Sequence, residues 1–215
     1  MAEYILVFDK DGVIVDSEEL KIQSIEKIFA DVNPAEFELI KIYNRANRGL
    51  FRKSKIQYIL SHILKENHIA EKVDKMLIQC RDMVYEVMGT AQMIPGVEAF
   101  IKNAPQKKYV SSAAPQEEVI DNLKQFGIYD QFEGIYGHPN SDKAAILRNL
   151  SQKNDLPVFF FGDTLLDMEE AEKAEVNFIG IETAPGTFNG LNVDKVKDFR
   201  AIDEIQKFID NRLNM

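Results

Sequence analysis

The chain reads as an α/β protein: a doubly wound parallel sheet, interrupted after its first strand by an α-helical insertion. Three observations predict this. Ile5 to Phe8 form a short unbroken apolar run, which suits a strand buried on both faces of a parallel sheet. Residues 17 to 90 carry helical periodicity with no convincing strand. From Pro95 onward, strand-like and helix-like segments alternate, the pattern of parallel βα units.

The first strand, expected over 4–9, ends in Asp9 and Asp11, with Gly12 directly after. Open α/β sheets place their chemistry where strands run out, and two carboxylates this close repel unless a cation or a shared proton intervenes. Taken alone, the fragment reads equally well as a solvated turn with Gly12 as its positive-φ residue. In the insertion, Ile22, Ile25, Ile28 and Phe29 fall at helical spacing, as do Ile56, Ile59, Leu60, Ile63 and Leu64. Met76, Leu77, Met83, Val84 and Val87 mark a third long helix. Such stripes are packing surfaces far more often than ligand sites. Domains are expected at 1–16 with 91–215 and at 17–90, with hinges near Val13–Ser17 and Gly89–Pro95.

Further strands are expected at 107–112, 133–136, 157–162 and 177–181, with a marginal sixth at 195–199; an amphipathic helix follows from Ala201 to Leu213. The segment from Tyr109 carries the hydroxyls of Ser111 and Ser112, and Pro115 is expected to open a helix. A Ser before a helix is ordinarily an N-cap, yet the same geometry builds a phosphate site from backbone N–H groups and a hydroxyl. Lys143 stands at another expected helix start, where a cation opposes the dipole and calls for an anion nearby. A solvated lysine is the commoner explanation. Val158 to Asp163 repeats the pattern of the first strand: an apolar run with three Phe ends in Gly162 and Asp163, and Asp167 follows four residues later. Asp167 suits the first turn of a helix on dipole grounds alone; Asp163 is harder to explain without a function. Two acidic strand ends in one parallel sheet can converge on a hard divalent cation, and an all-oxygen set suits Mg²⁺.

At 215 residues, 45% of them hydrophobic, the chain can bury a sizeable core but is short for two independent domains. A formal charge of −9 argues against a nucleic-acid surface, since phosphate backbones are bound by Lys and Arg in excess. An anionic small molecule in a locally basic pocket is not excluded. The single cysteine, Cys80, allows no intrachain disulfide and points to a reducing compartment; it is expected to face a helix core. No signal-like segment opens the chain, and no apolar stretch approaches the length of a membrane span. The expectation is a soluble, cytoplasmic monomer acting on a small metabolite, with neither nucleic acid nor membrane as partner.

Asp-x-Asp-Gly after a strand, a hydroxyl after a second strand, Lys143 at a helix start and Gly-Asp-x-x-x-Asp after a later strand together resemble the haloacid dehalogenase-like superfamily. The resemblance spans nearly the whole chain and implies the subclass with a small helical cap over residues 17–90. It further implies that Asp9 is a phosphoryl-accepting nucleophile and that Asp11 is the acid and base. Mg²⁺ would be held by Asp9, the backbone carbonyl of Asp11, and Asp163, with Asp167 in support or as a further ligand. Ser112, or alternatively Ser111, would hold phosphoryl oxygens with Lys143 and with backbone N–H groups near Gly12 and Ala113. Asp11 speaks against the dehalogenase branch, whose halide leaves without a proton. Gly49-Leu50-Phe51-Arg52 looks like a cap loop of the β-phosphoglucomutase type and makes Arg52 the leading specificity residue, ahead of Arg45, Asn47, Arg48 and Lys53. Two departures favour hydrolysis over mutase activity: Lys21 stands in place of a hinge histidine, and no lysine follows the motif hydroxyl in Ala113-Ala114-Pro115-Gln116. Asn47-Arg48-Gly49 together with Gly134 to Pro139 looks like hydrolases of bacterial surface-polysaccharide synthesis, implying a phosphorylated sugar or sugar acid. A mutase and a catalytically silent binding module remain the alternatives.

Overall fold

The computed structural model describes residues 3–88 and 91–214. It divides into two compact units, one of Met1–Asp16 with Gln92–Met215 and one of Ser17–Ala91. In chain order the first unit begins with β1 (Ile5–Phe8) and the two-residue β2 (Val15–Asp16). The second unit holds α1 (Glu18–Ile28), α2 (Pro34–Ala46), α3 (Arg52–Tyr58), which continues into a π-helical turn at Ile59–Ile63, and α4 (Ala70–Met88). The first unit resumes with β3 (Gln92–Met93), α5 (Val97–Asn103), β4 (Lys107–Pro115), α6 (Gln116–Gln125), β5 (Gly134–His138) and α7 (Lys143–Asn154). It ends with β6 (Val158–Gly162), α8 (Leu165–Ala174), β7 (Asn177–Ile181), β8 (Lys195–Val196) and α9 (Ile202–Leu213).

Six strands form one parallel sheet in the order β5-β4-β1-β6-β7-β8, the doubly wound arrangement. The order reverses at β1, which lies between β4 and β6. A ligand crevice is therefore expected beyond the carboxyl end of β1. Both faces of the sheet are dry. Ile5 and Val7 pack with Val158, Phe160, Leu147, Leu150, Ala171 and Ala174 on one face. On the other, Phe8 stacks on Phe161 with ring centroids 5.0 Å apart, and Phe100, Phe132 and Phe199 close around the pair edge-on or tilted. Alternate residues of one apolar run thus serve two cores, as a doubly covered parallel strand requires.

The helical unit buries Ile22, Ile25, Phe29, Ile40, Ile56, Ile59, Leu60, Val73, Cys80 and Val84. The helix over Pro34–Ala46 was not anticipated; Pro34 at its first position and the Asn33 cap, which accepts from the Glu36 N–H at 3.0 Å, start it. The short ribbon of β2 and β3 was not anticipated either, with Val15 opposite Met93 and Asp16 opposite Gln92. Gly89 and Thr90 of the second expected hinge, and the side chain of Val87, lie outside the described residues. Pro115 corrects another expectation. The expected helix follows it, but Pro115 is the N-cap of α6 and not its first residue, and it also ends β4, opposite His138. A residue preceded by β-conformation and lacking an N–H can serve a strand end as readily as a first helical turn. The strand expected at 133–136 runs on to His138, the last residue of β5. No helix among the described residues is long and apolar enough to cross a membrane.

The Phe cluster sits directly beneath the ends of β1 and β6. Phe161→Ala is expected to destabilise the protein by about 3–5 kcal/mol, measured as a lowered midpoint in urea unfolding.

Candidate active site

β1 and β6 are neighbours in register, with Phe8 opposite Phe161, and Asp9 N–H donates to the Phe161 carbonyl at 2.9 Å. The two acidic loops therefore leave the sheet side by side. Asp9, Asp163 and Asp167, all buried, each offer a carboxylate oxygen within 4.8 Å of the others. Two glycines permit this approach. Gly12 has φ +79°, and a Cβ there would overlap the Asp163 carboxylate. A Cβ on Gly162 would overlap the Asp167 side chain.

Asp167 has a double attachment. It is the third residue of α8 and forms a capping box with Thr164: the Thr164 hydroxyl accepts from the Asp167 N–H at 3.1 Å, and Asp167 Oδ2 accepts from the Thr164 N–H at 3.2 Å. Thr164 Oγ1 also donates to Oδ2 at 2.6 Å. The helix cap thus orients Asp167 so that Oδ1 meets Lys143. The Lys143 ammonium bridges Asp9 Oδ1, at 2.9 Å, and Asp167 Oδ1. Asp142 caps α7 by accepting from the Ala145 N–H at 3.0 Å, and the Ala144 N–H donates to Glu170 Oε2 at 3.1 Å, so the helix start that carries Lys143 is tied to α8.

One ammonium faces a surplus of carboxylates. Burial raises the Asp9 carboxyl to about 7; Lys143 pulls it down, while Asp167 and Asp11 push it up. Burial alone would lower the Lys143 ammonium, but Asp167 and Asp9 outweigh it and hold it above its ordinary value. The site has excess negative charge and only oxygen donors, a set that fits a hard divalent ion.

The other expected residues fall as follows. The Asp11 carboxylate is outside the three-oxygen cluster and pairs instead with the Lys10 ammonium at 3.1 Å. The N–H of Gly12 donates to the Val15 carbonyl at 2.8 Å, so the expected phosphate donor is engaged in its own turn; the place of Gly12 here is steric. Ser112 Oγ accepts from the Ala114 N–H at 3.2 Å, whereas the buried Ser111 hydroxyl has no hydrogen-bond partner among the described residues. Both remain next to Ala113 near the end of β4. In the helical unit, Arg45 is held by Glu19 and Glu26, Arg48 lies 3.5 Å from Glu18, and Arg52 is the half-buried first residue of α3. Sequence reasoning missed Thr164 and Lys10. The spacing Thr-x-x-Asp is the signal that identifies the first, and a lysine enclosed in a buried strand end the second.

The model of the haloacid dehalogenase-like hydrolases matches residues 6–181, from β1 through β7. The chain belongs to the haloacid dehalogenase-like hydrolases. Among solved structures, this family member resembles a β-phosphoglucomutase from Clostridium difficile at 17% identity and TM-score 0.73, with all of both chains covered. A protein described as a predicted phosphoglycolate phosphatase from Haemophilus somnus matches at 19% identity and TM-score 0.72, over 95% of this chain and 98% of that one. CbbY from Rhodobacter sphaeroides, solved with phosphate, matches at 19% identity and TM-score 0.68, over 93% and 95%. At these identities the likeness establishes the fold. No curated protein matches the chain.

The raised Asp9 carboxyl has a consequence for the metal-free hydrolase. Its folded-state value of about 7 lies above the ordinary 3.8, so the folded chain binds the extra proton between these values. The stabilisation from this group is full below the ordinary value and lost as pH rises through about 7. Relative to Asp9→Asn, the metal-free wild type should therefore lose on the order of a few kcal/mol between acid and neutral pH. Denaturant titrations of both proteins across that range, in EDTA, measure the difference; saturating Mg²⁺ should flatten it.

Proposed function

We propose that this hydrolase is a Mg²⁺-dependent phosphatase acting on a small phosphate monoester, with a phosphorylated sugar as the leading substrate class. The observation that carries the reading is the buried group of Asp9, Asp163, Asp167 and Lys143 at the ends of adjacent parallel strands. Carboxylates and an ammonium held this closely, on rigid elements, suit binding and transfer of an anionic group better than packing.

Asp9, Asp163 and Asp167 would hold the ion, with the backbone carbonyl of Asp11 as a further ligand. When bound, Mg²⁺ supplies the positive charge that lets an anionic nucleophile approach an anionic ester. Asp9 attacks phosphorus through a carboxylate oxygen, and the bond from phosphorus to the ester oxygen breaks. Asp11 gives its proton to that departing oxygen, which leaves as an alcohol. A water then attacks the phosphorus of the aspartyl-phosphate, Asp11 takes the water's proton, and Asp9 is released with inorganic phosphate. Lys143 and the hydroxyl of Ser112 or Ser111 hold the phosphoryl oxygens, assisted by the Ala113 backbone. The helical unit acts as the cap, and Arg52 selects the substrate.

The test is phosphate release from sugar phosphates, phosphoglycolate and nucleotides, with Mg²⁺ or EDTA. Release should require the metal, fall at least about 10³-fold in Asp9→Asn, and persist at a raised Mg²⁺ requirement in Asp163→Asn. Interconversion of sugar phosphates without free phosphate would identify a mutase instead.

A further inference from the structure

Lys10 lies between the two motif aspartates and is fully buried. Its ammonium has three protons and, among the described residues, meets three side-chain oxygens. It donates to Glu118 Oε1 at 3.2 Å and to Asn122 Oδ1 at 2.8 Å, and it pairs with Asp11 Oδ1 at 3.1 Å. Glu118 and Asn122 are themselves buried, and they sit one helical turn apart on α6, the helix that follows β4. The ammonium is therefore fixed from one side by a rigid helix, and on the other it meets a single side chain, Asp11.

Packing alone does not account for this arrangement. A buried ion pair is commonly no more stabilising than a well-packed apolar group of similar volume, because both charges must leave water. Met would fill the space of the Lys10 stem. What an apolar residue would not do is hold the Asp11 carboxylate in one orientation. We propose that Lys10, braced by Glu118 and Asn122, is a positioning residue for Asp11: it fixes Oδ1 so that Oδ2 carries the proton delivered to the departing ester oxygen. This rests on the reading of Asp11 as general acid and base. It concerns orientation, and it links α6 mechanically to the proton-transfer step.

Leaving groups separate this role from a merely structural one. A 4-nitrophenyl ester departs as a stable anion and needs no proton, whereas an alkyl phosphate does. The quantity to compare is kcat/KM, which reports steps up to departure of the leaving group and so excludes the later attack of water. Lys10→Met should lower kcat/KM for the alkyl ester by roughly 10²-fold and that for the 4-nitrophenyl ester by no more than about threefold, the selective pattern also expected of Asp11→Asn. Glu118→Gln, which keeps Lys10 in place but weakens its brace, should shift the ratio of the two esters in the same direction by a smaller factor. It carries the test if Lys10→Met shows no cooperative thermal transition. Equal losses on both esters, in whichever variant folds, would overturn the positioning role and leave the phosphatase reading intact. A wild type that hydrolyses neither ester would remove the reading and the inference together.

Discussion

Like charges brought together in a dry place need something to hold them there, and most of the first unit can be understood from that requirement. Asp9, Asp163 and Asp167 converge at the ends of β1 and β6 with one ammonium between them. The backbone achieves the convergence through parallel pairing of the two strands and through two glycines whose missing side chains admit the neighbouring carboxylates. A site that is still short of positive charge after Lys143 is satisfied either by a proton on Asp9 or by a cation. Burial, with Asp167 and Asp11 nearby, raises the Asp9 carboxyl in spite of Lys143, and the all-oxygen set fits a hard divalent ion.

Such a site tolerates little movement, and the layers beneath it are built accordingly. The Phe8–Phe161 stack joins the two strands one residue before Asp9 and two before Asp163. Phe100 and Phe199 pack against both rings, so the register of β1 and β6 is supported by side chains as well as by the ladder. On the opposite face α7 and α8, which carry Lys143 and Asp167, cover the same strands and are tied to each other by Glu170. Every catalytic candidate in the carboxylate cluster is thus one or a few residues from a packed element, the arrangement that holds reacting groups to sub-ångström tolerance.

Much of this was legible in the sequence because the signals are local. Apolar runs that end in Asp marked β1 and β6, and Asn177–Ile181 fell where the alternation placed it. The strand order and the contact of Asp9 with Lys143 were not legible, since no local pattern encodes a contact across 134 residues; the resemblance assigned the two residues only to a common site. The misreadings have physical reasons. Pro115 satisfies both a strand end and a helix start, and only the pairing with β5 decides between them. The helix over Pro34–Ala46 leaves Leu39 and Ile42 exposed, so its apolar stripe is weak to the eye. The donor role of the backbone near Gly12 was implied by the resemblance; the Gly12 N–H itself closes a turn on Val15.

The residues that broke local rules turned out to be the informative ones. Lys10 is a lysine at a fully buried strand end, Arg52 a cation at the start of a helix, and Lys55 a buried lysine inside the helical unit. Burial lowers the Lys55 ammonium to about 8; Glu18 favours its charge, but Lys21 and Arg48 oppose it. Its hydrogen bond to Asn44 Oδ1 is long at 3.4 Å. The two buried lysines, Lys10 and Lys55, carry the desolvation cost of a charge taken out of water. Within an otherwise consistent sequence, the buried Lys10 and Lys55 are the positions whose local cost calls for a separate explanation.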